Sequence, residues 1–289
     1  MSKYENILNE YRFTQSDAEI KTEIQKIQSE SKTSKEIFKM LFGCIDLTSL
    51  NTTDTNDEIE KMVEKLNAFK KEFNDTPNVA GICVYPNFVE TIKNNLTENV
   101  DIVSVAGGFP NSQTFIEVKI AEAALAAAAG AQEIDVVISV GKFLEGKYDE
   151  VGEELEEIKH ACKKAKLKVI LETGALKSAS DIYNAGIIAM YAGADFIKTS
   201  TGKIPVNATP EAAYVMCKSI SDFYRKTNTK VGFKAAGGIA TSNDALIYCG
   251  IVEKLLGKDY LNKDFFRIGA SRLANDLLCN IYEKPIKFF

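Results

Sequence analysis

The sequence predicts an α/β protein whose parallel strands close into a (β/α)8 TIM barrel. Eight strand-like apolar runs alternate with eight longer segments of helical periodicity, and this alternation indicates parallel pairing with right-handed crossovers. The repeats fill roughly 250 residues, the usual size of a closed barrel. A doubly wound open sheet is the structural alternative, but no G-x-G-x-x-G opens the first helix and no G-x-x-x-x-G-K-[ST] occurs.

The predicted strands read as nearly continuous apolar runs, as parallel strands buried on both faces do. They cover residues 42–48, 79–86, 101–109, 133–140, 167–174, 195–202, 230–238 and 265–271. Helical patterns follow at about 56–73, 88–97, 113–129, 149–165, 178–192, 209–226, 242–256 and 272–282. No Pro/Gly/Ser-rich linker divides the chain. We therefore expect an N-terminal helical extension over residues 1–39 and one catalytic barrel domain over residues 40–289.

Composition narrows the class of partner. The net charge is -5 and no basic stripe interleaved with aromatic residues occurs, so nucleic-acid binding is not expected. The longest apolar patch is too short and alanine-rich to span a bilayer, and the N-terminus lacks the apolar core of a secretion signal. These features predict a cytoplasmic protein without a membrane partner. Its six cysteines are scattered without a C-x-x-C motif, which disfavours disulfides and a Cys/His zinc site.

The chain contains one histidine, His160, within a charged helical pattern that indicates exposure to solvent. Histidine-based acid–base chemistry is therefore not expected. Any chemistry has to use carboxylates, lysines, hydroxyls or cysteine, and we predict neither a metal nor a cofactor.

Polar residues stand close to the predicted carboxyl ends of the strands, where the active site of a barrel lies. They are Asp46, Cys83, Asp135, Glu172, Lys198 and Lys234. Any one of them alone is explained by a structural ion pair. Asp135, Lys198 and Lys234 come from three different strands and have apolar neighbours, and burying an unpaired charge is costly.

Two lysines and one carboxylate in a dry pocket have a chemical consequence. Desolvation and a nearby like charge favour the neutral form of one lysine. A neutral amine is the nucleophile that forms a Schiff base with a carbonyl substrate, and Asp135 would then carry protons between the intermediates. The residues alone leave open which lysine forms the imine.

Small residues end the last two strands, in "AAGG" (235–238) and "IGASR" (268–272). Glycines permit close backbone approach, and the N-H groups at a helix N-terminus attract anions. Barrels commonly bind phosphate after strands seven and eight. Tight-turn chemistry is the alternative explanation, but two such turns in the two expected places favour a phosphate site.

The stretches "EIDVVIS", "LETG", "DFIKTSTGK" followed by "VNATP", "GFKAAGGI" and "RIGAS" occur in order over about residues 40–282. With "IDLTSLN" and "CVYP" near the start, this pattern resembles the deoxyribose-phosphate aldolase family. "SVAGGFPNSQT" and the long N-terminal extension resemble its eukaryotic-type branch. The resemblance implies a (β/α)8 barrel and a metal-independent class I aldolase of deoxynucleoside catabolism. Such an enzyme reversibly cleaves 2-deoxy-D-ribose 5-phosphate to D-glyceraldehyde 3-phosphate and acetaldehyde.

The resemblance also implies residue roles. It gives Lys198 as the Schiff-base lysine, Lys234 as the second active-site lysine and Asp135 as the proton relay. Residues implied to line the substrate site or approach its phosphate are Asp46, Cys83, Thr199, Lys203, Gly237, Gly238, Gly269 and Ser271.

The chain departs from the family pattern at several positions. Ala235 replaces a usual proline, Ala240 stands where arginine is frequent, and Arg272 replaces a small or hydroxyl residue. We expect Arg272 to bind the phosphate in place of the missing arginine; the alternative is an ion pair with Asp276. No tyrosine ends the chain, and Tyr282 lies too near the last helix to substitute for one.

Two other functions stay open from sequence. One is a Schiff-base aldolase of a different sugar phosphate, and the other is a barrel scaffold or binding protein with little turnover. A scaffold does not explain a buried lysine pair. The expected ligand is a small sugar phosphate, and the sequence is compatible with a homodimer.

Overall fold

Eight parallel strands form a closed barrel in which each strand pairs with the next and β8 pairs with β1. The computed structural model describes residues 2–289. The strands are β1 (Ile45–Thr48), β2 (Gly81–Val84), β3 (Asp101–Ala106), β4 (Glu133–Val137), β5 (Lys166–Ile170), β6 (Phe196–Lys198), β7 (Gly232–Ala236) and β8 (Phe266–Ala270). The predicted fold class is confirmed.

Helices connect the strands and precede β1. They are α1 (Lys3–Asn9), α2 (Asp17–Glu30), α3 (Lys35–Phe42), α4 (Asn56–Glu72), α5 (Val89–Asn95), α6 (Ile116–Ala129), α7 (Val140–Leu144), α8 (Tyr148–Ala161), α9 (Ala179–Tyr191), α10 (Pro210–Thr227), α11 (Ser242–Leu256) and α12 (Leu273–Tyr282). Local chemistry sets several of these boundaries. Thr55 and Glu58 form a reciprocal capping box at the start of α4, and Thr209 caps α10 immediately before Pro210.

Two predicted strand boundaries are wrong. Phe42 ends α3 instead of opening β1, and its buried ring stacks on Phe69 at a centroid distance of 5.0 Å. Val140 begins the short helix α7, because β4 already ends at Val137. The sequence did not reveal α7, since a short apolar run cannot distinguish the end of a strand from one buried helical turn.

The N-terminal helices pack on the outer helical layer: α1 contacts α8 and α9, and α2 contacts α10 and α11. Gly152 permits the close contact of α1, because a Cβ there would lie 2.1 Å from the Tyr4 ring. Helix α3 runs across the boundary expected between residues 39 and 40. The division into an extension over residues 1–39 and a barrel domain over residues 40–289 stays a prediction.

The barrel interior is unusually charged. Asp46, Asp135, Lys168, Lys234 and Arg267 are all completely buried. They come from β1, β4, β5, β7 and β8, so the closed sheet holds charges from five strands around one axis. No helix in residues 2–289 has the length and apolarity needed to cross a membrane.

Candidate active site

Lys198, Lys234 and Asp135 meet inside the barrel near its carboxyl-terminal end. The Nζ atoms of Lys198 and Lys234 lie 2.7 and 2.8 Å from the same oxygen, Asp135 Oδ2. The two lysines are aligned because Lys198 of β6 pairs with Lys234 of β7 in the strand register. All three residues are buried. The structure thus brings together the three side chains that sequence analysis selected as catalytic.

A third lysine, Lys168, contacts the other oxygen of the same carboxylate. Its Nζ lies 3.1 Å from Asp135 Oδ1 and 2.5 Å from Glu133 Oε2. Sequence analysis missed Lys168, although "LKVIL" places it between apolar neighbours just as "FIKTS" places Lys198. The same signal was present in both strands. Asp135 is consequently shared by three ammonium groups, and neither carboxylate oxygen lacks a cation.

Asp46 and Arg267 extend the charge network toward the other end of the barrel. Asp46 lies 2.5 Å from Lys234 Nζ through one oxygen and 2.5 Å from Arg267 Nη1 through the other. Arg267 also contacts Glu133 at 2.8 Å. Asp46, which the family resemblance implies in the substrate site, therefore lies beneath Lys234. It is positioned to stabilise that lysine's charge.

The charge network shifts the pKa values of the two active-site lysines in opposite directions. Burial lowers the pKa of Lys198 below its ordinary value; Asp135 opposes this effect and the charge of Lys234 adds to it. Burial also disfavours the charge of Lys234, but Asp135 and Asp46 outweigh that effect and raise its pKa. Lys198 has one carboxylate partner and Lys234 has two. The arrangement makes the ammonium of Lys198 easier to deprotonate than that of Lys234.

Asp135 remains a carboxylate in this environment. Burial opposes its ionisation, but the charges of Lys168, Lys198 and Lys234 outweigh burial and hold its pKa well below the usual value. A buried carboxylate with three cationic neighbours is a hydrogen-bond acceptor at neutral pH. It can hold a proton only while one of those lysines is neutral or covalently modified.

An apolar surface adjoins this charged centre. Cys83 is completely buried and packs in a small cluster with Leu50, Val103 and Val105. Burial raises the pKa of its thiol, so Cys83 is a neutral packing group and not a thiolate nucleophile. The cluster provides an apolar wall.

A cavity of about 200 Å³ opens above Lys198. Its walls include Lys198, Thr201, Lys203, Gly237, Gly238, Gly269, Ser271 and Arg272. Gly237 and Gly238 have φ of 89° and 82°, which only glycine adopts readily. A Cβ on Gly237 would also lie 2.6 Å from Asn207. The part of the cavity wall formed by these glycines is therefore bare backbone, as close approach by an anion requires.

Two hydroxyl residues of the β6 segment have different surroundings. The Thr199 hydroxyl donates to the carbonyl of Ala236 at 3.1 Å and accepts from its N–H at 3.0 Å. Thr199, implied to line the substrate site, thus links β6 to β7 instead of facing the cavity. Thr201 lies on the cavity wall and was missed. Lys203 reaches across the mouth, where its Nζ donates to the carbonyl of Leu50.

Arg272 lies at the cavity rim, one residue before α12, and is exposed. The alternative partner Asp276 instead accepts from the N–H and hydroxyl of Ser242 at 2.6 and 2.5 Å. Within residues 2–289, Arg272 forms no ion pair, so the predicted alternative pairing with Asp276 is absent. The guanidinium is available at the expected phosphate position.

Two residues that sequence analysis set aside lie away from this cavity. His160 is exposed on α8. Tyr282 ends α12, where its hydroxyl is 2.8 Å from that of Thr76, in the segment that leads into β2. Because α12 begins at the cavity and runs away from it, Tyr282 stands near the opposite end of the barrel.

Comparisons with known proteins identify the family that the chain resembles in sequence. Residues 40–248 match the model of the DeoC/LacD family aldolases. The chain is 41% identical to the deoxyribose-phosphate aldolases of Homo sapiens and Mus musculus, in each case over 82% of this chain and 78% of the relative.

Solved structures show the same similarity. A deoxyribose phosphate aldolase from Aeropyrum pernix has a TM-score of 0.69 at 25% identity, over 92% of this chain and 98% of that one. An aldolase named QR15 has a TM-score of 0.68 at 31% identity, over 84% and 98%. The barrel and its buried lysine–carboxylate centre define a (β/α)8 aldolase. Within that class, the chain belongs to the deoxyribose-phosphate aldolase family.

Proposed function

We propose that the chain reversibly cleaves 2-deoxy-D-ribose 5-phosphate to D-glyceraldehyde 3-phosphate and acetaldehyde through an imine on Lys198. The observation that carries this proposal is the sharing of Asp135 Oδ2 by Lys198 and Lys234. The two lysines have pKa shifts in opposite directions. One amine can therefore act as the nucleophile while the other supplies positive charge.

The reaction begins at the aldehyde of the open-chain sugar. The neutral Lys198 amine adds to C1, and uptake of one proton with loss of water gives a protonated imine. Removal of the proton from the C3 hydroxyl breaks the C2–C3 bond. Its electron pair moves into the imine to form an enamine, and C3 departs as the aldehyde of glyceraldehyde 3-phosphate. The enamine takes a proton at C2, and water then releases acetaldehyde and restores Lys198.

Asp135 and Lys234 carry the protons in this sequence. Asp135 contacts both lysines within 2.8 Å, which is hydrogen-bond reach for proton transfer. When cleavage of the C2–C3 bond turns the protonated imine on Lys198 into a neutral enamine, Asp135 loses part of the charge that keeps it ionised and can hold a proton briefly. Lys234, whose positive charge Asp46 stabilises, is the second proton carrier beside Asp135.

The cavity suits the two halves of the substrate. The apolar wall formed by Cys83 and its neighbours borders the buried lysines and suits the two-carbon acetaldehyde fragment. At the outer end, Gly237, Gly238, Gly269 and Ser271 offer backbone and hydroxyl donors near the start of α12. A phosphate there would interact with N–H groups at close range, and Arg272 adds a full positive charge.

The cellular setting and assembly are further parts of the proposal. All six cysteines are unpaired thiols, as is usual in a reducing compartment, which supports a cytoplasmic location. Helix α6 and the residue that precedes it expose Phe115, Val118 and Leu125, which are 79%, 49% and 70% accessible. An apolar helix face of this kind supports association into a homodimer.

Trapping with borohydride tests the covalent step. Incubation with 2-deoxyribose 5-phosphate and borohydride should attach a reduced adduct to Lys198, located by peptide mass. Lys198→Ala should fold normally and lose essentially all turnover, because the amine that forms the imine is gone. Near-normal activity in that variant would show that the mechanism is not covalent catalysis at Lys198.

The pH dependence tests the role of Lys234. Lys234→Leu removes a charge that lowers the pKa of Lys198 and leaves Asp135 to raise it. Less neutral amine is then present at pH 7, about tenfold less for each pKa unit. Turnover should slow at neutral pH, and the pH–rate profile should move to higher pH. Lys119→Leu, which removes a buried lysine paired with Glu154, is the control. An unmoved profile in Lys234→Leu would mean that burial alone sets the pKa of Lys198.

The role of Arg272 is tested by comparing substrates with and without phosphate. A charge-assisted hydrogen bond contributes about 1.5 to 3 kcal/mol, so Arg272→Ala should lower kcat/KM for 2-deoxyribose 5-phosphate roughly 10- to 150-fold. Cleavage of unphosphorylated deoxyribose should change little. Lys65→Ala, in the neighbouring groove that Arg272 also borders, is the matched control. Equal losses on both substrates, or none on either, would leave the backbone donors as the main phosphate ligands.

Sedimentation velocity tests the homodimer. The wild-type chain should sediment as a dimer, and Phe115→Lys combined with Leu125→Lys should sediment as a monomer, since two charges would be buried in the interface. Tyr224→Lys, at an exposed aromatic residue on α10, controls for added charge. A monomeric wild type, or a double variant that stays dimeric, would contradict this assembly.

A further inference from the structure

Glu172 has a strained backbone next to the cavity. It follows β5 with φ 53° and ψ 57°, in the left-handed region, although it is not a glycine. Its side chain is 5% exposed. Non-glycine residues in this conformation are uncommon and costly, and they concentrate at functional sites. The strain therefore raises the question of what this carboxylate does.

An irregularity in strand pairing places Glu172 in this conformation. The N–H of Leu171 donates to the carbonyl of Lys198 at 2.9 Å, and the N–H of Thr173 donates to that of Thr199 at 3.0 Å. The two N–H donors are two residues apart in the segment after β5, but the two carbonyls that accept from them are adjacent in sequence. The segment after β5 therefore contains one extra residue, which is Glu172. Such bulges bend a strand and redirect a side chain, often beside active sites.

The carboxylate is directed at the turn that follows Lys198. Its Oε1 accepts from the N–H of Thr201 at 3.1 Å, and its Oε2 accepts from the Thr201 hydroxyl at 2.6 Å. The Thr201 hydroxyl oxygen in turn accepts from the N–H of Lys203 at 3.0 Å. Within residues 2–289, Glu172 forms no ion pair. Its buried charge is therefore satisfied by this turn and not by a cation.

These bonds determine what Thr201 can offer to a ligand. A carboxylate only accepts hydrogen bonds, so the hydroxyl hydrogen of Thr201 is committed to Glu172. One oxygen lone pair is committed to Lys203. The remaining lone pair is the only hydrogen-bonding capacity that the hydroxyl can present to the cavity. Glu172 thereby makes Thr201 an acceptor, suited to a substrate hydroxyl, and holds the backbone that carries Lys203.

We propose that Glu172 is a positioning residue for the hydroxyl- and phosphate-bearing half of the substrate. It acts through Thr201 and Lys203 and does not take part in imine chemistry at Lys198. This inference rests on the proposed function, because it assigns Glu172 to one half of that substrate. Acetaldehyde carries neither hydroxyl nor phosphate, so its reaction with Lys198 is independent of Glu172.

Glu172→Gln is the most informative variant. The amide preserves side-chain size, but its NH₂ group donates where the carboxylate accepted. Its single carbonyl oxygen can accept from the Thr201 hydroxyl or from the Thr201 N–H but not from both, so one of the two bonds to Thr201 is lost or reversed. The kcat/KM for 2-deoxyribose 5-phosphate should fall about 10- to 150-fold, the range for a lost charge-assisted hydrogen bond. Borohydride trapping of acetaldehyde on Lys198 should stay within about twofold of wild type.

Two further variants separate positioning from stability. Glu172→Gly removes the left-handed strain together with the carboxylate, and should lose at least as much kcat/KM as Glu172→Gln. Lys163→Gly relieves the same kind of strain, since Lys163 has φ 55°, but lies before β5 at the other end of the strand. It should leave both reactions unchanged. In a Thr201→Ala background, Glu172→Gln should cause little additional loss.

The outcomes are distinct. Wild-type turnover in the same assay tests the proposed function, and its absence would contradict that function. If the wild type is active and Glu172→Gln retains kcat/KM within about twofold, the positioning role is refuted. Parallel losses in acetaldehyde trapping and sugar-phosphate cleavage would refute it as well, because the carboxylate would then act on the imine centre or on the fold as a whole.

Discussion

The sharing of one buried carboxylate by three lysines is the interaction on which the site depends. Asp135 contacts Lys198 and Lys234 through one oxygen and Lys168 through the other, at 2.7, 2.8 and 3.1 Å. Removing the carboxylate would leave Lys198 in a dry interior without its carboxylate partner, and an unpaired buried charge is strongly destabilising. The lysines differ in how many carboxylates they contact. That difference separates the lysine that acts as a nucleophile from the lysine whose positive charge is stabilised.

The barrel makes this arrangement possible. Side chains from β4, β5, β6 and β7 converge on one point because a closed sheet directs alternate residues to a common axis. Below that point, Arg267 and Asp46 continue the network, and Asp46 stabilises the charge of Lys234. Above it, the side chains are small and polar, and glycines after β7 and within β8 form part of the cavity wall. Along the barrel axis, the ion pairs of Asp46 and Arg267 are followed by the reactive Lys198 and then by the cavity opening proposed to bind the phosphate.

Sequence could predict the parts that depend on local pattern. Apolar runs alternating with helical segments identified all eight strands, and lysines within apolar runs identified Lys198 and Lys234. It could not predict how a side chain is used once the strands have closed. Lys168 has the same apolar neighbours as Lys198, and only the register shows that it contacts Asp135. Thr199 and Thr201 are two positions apart. Only the structure shows that the Thr199 hydroxyl is hydrogen-bonded to the backbone of β7, whereas Thr201 lies on the cavity wall. The strain at Glu172 and the short helix α7 leave no local signal.

Lys198 and Lys234 share a carboxylate yet have pKa shifts in opposite directions. An NMR titration of the protein with isotopically labelled lysine side chains tests this directly, with signals assigned from Lys198→Met and Lys234→Met. We expect the Lys198 amine to titrate below the free-lysine value of about 10.4. Lys234 should stay protonated beyond that value. A Lys198 midpoint at or above the free-lysine value, or a Lys234 amine that loses its proton first, would contradict the account.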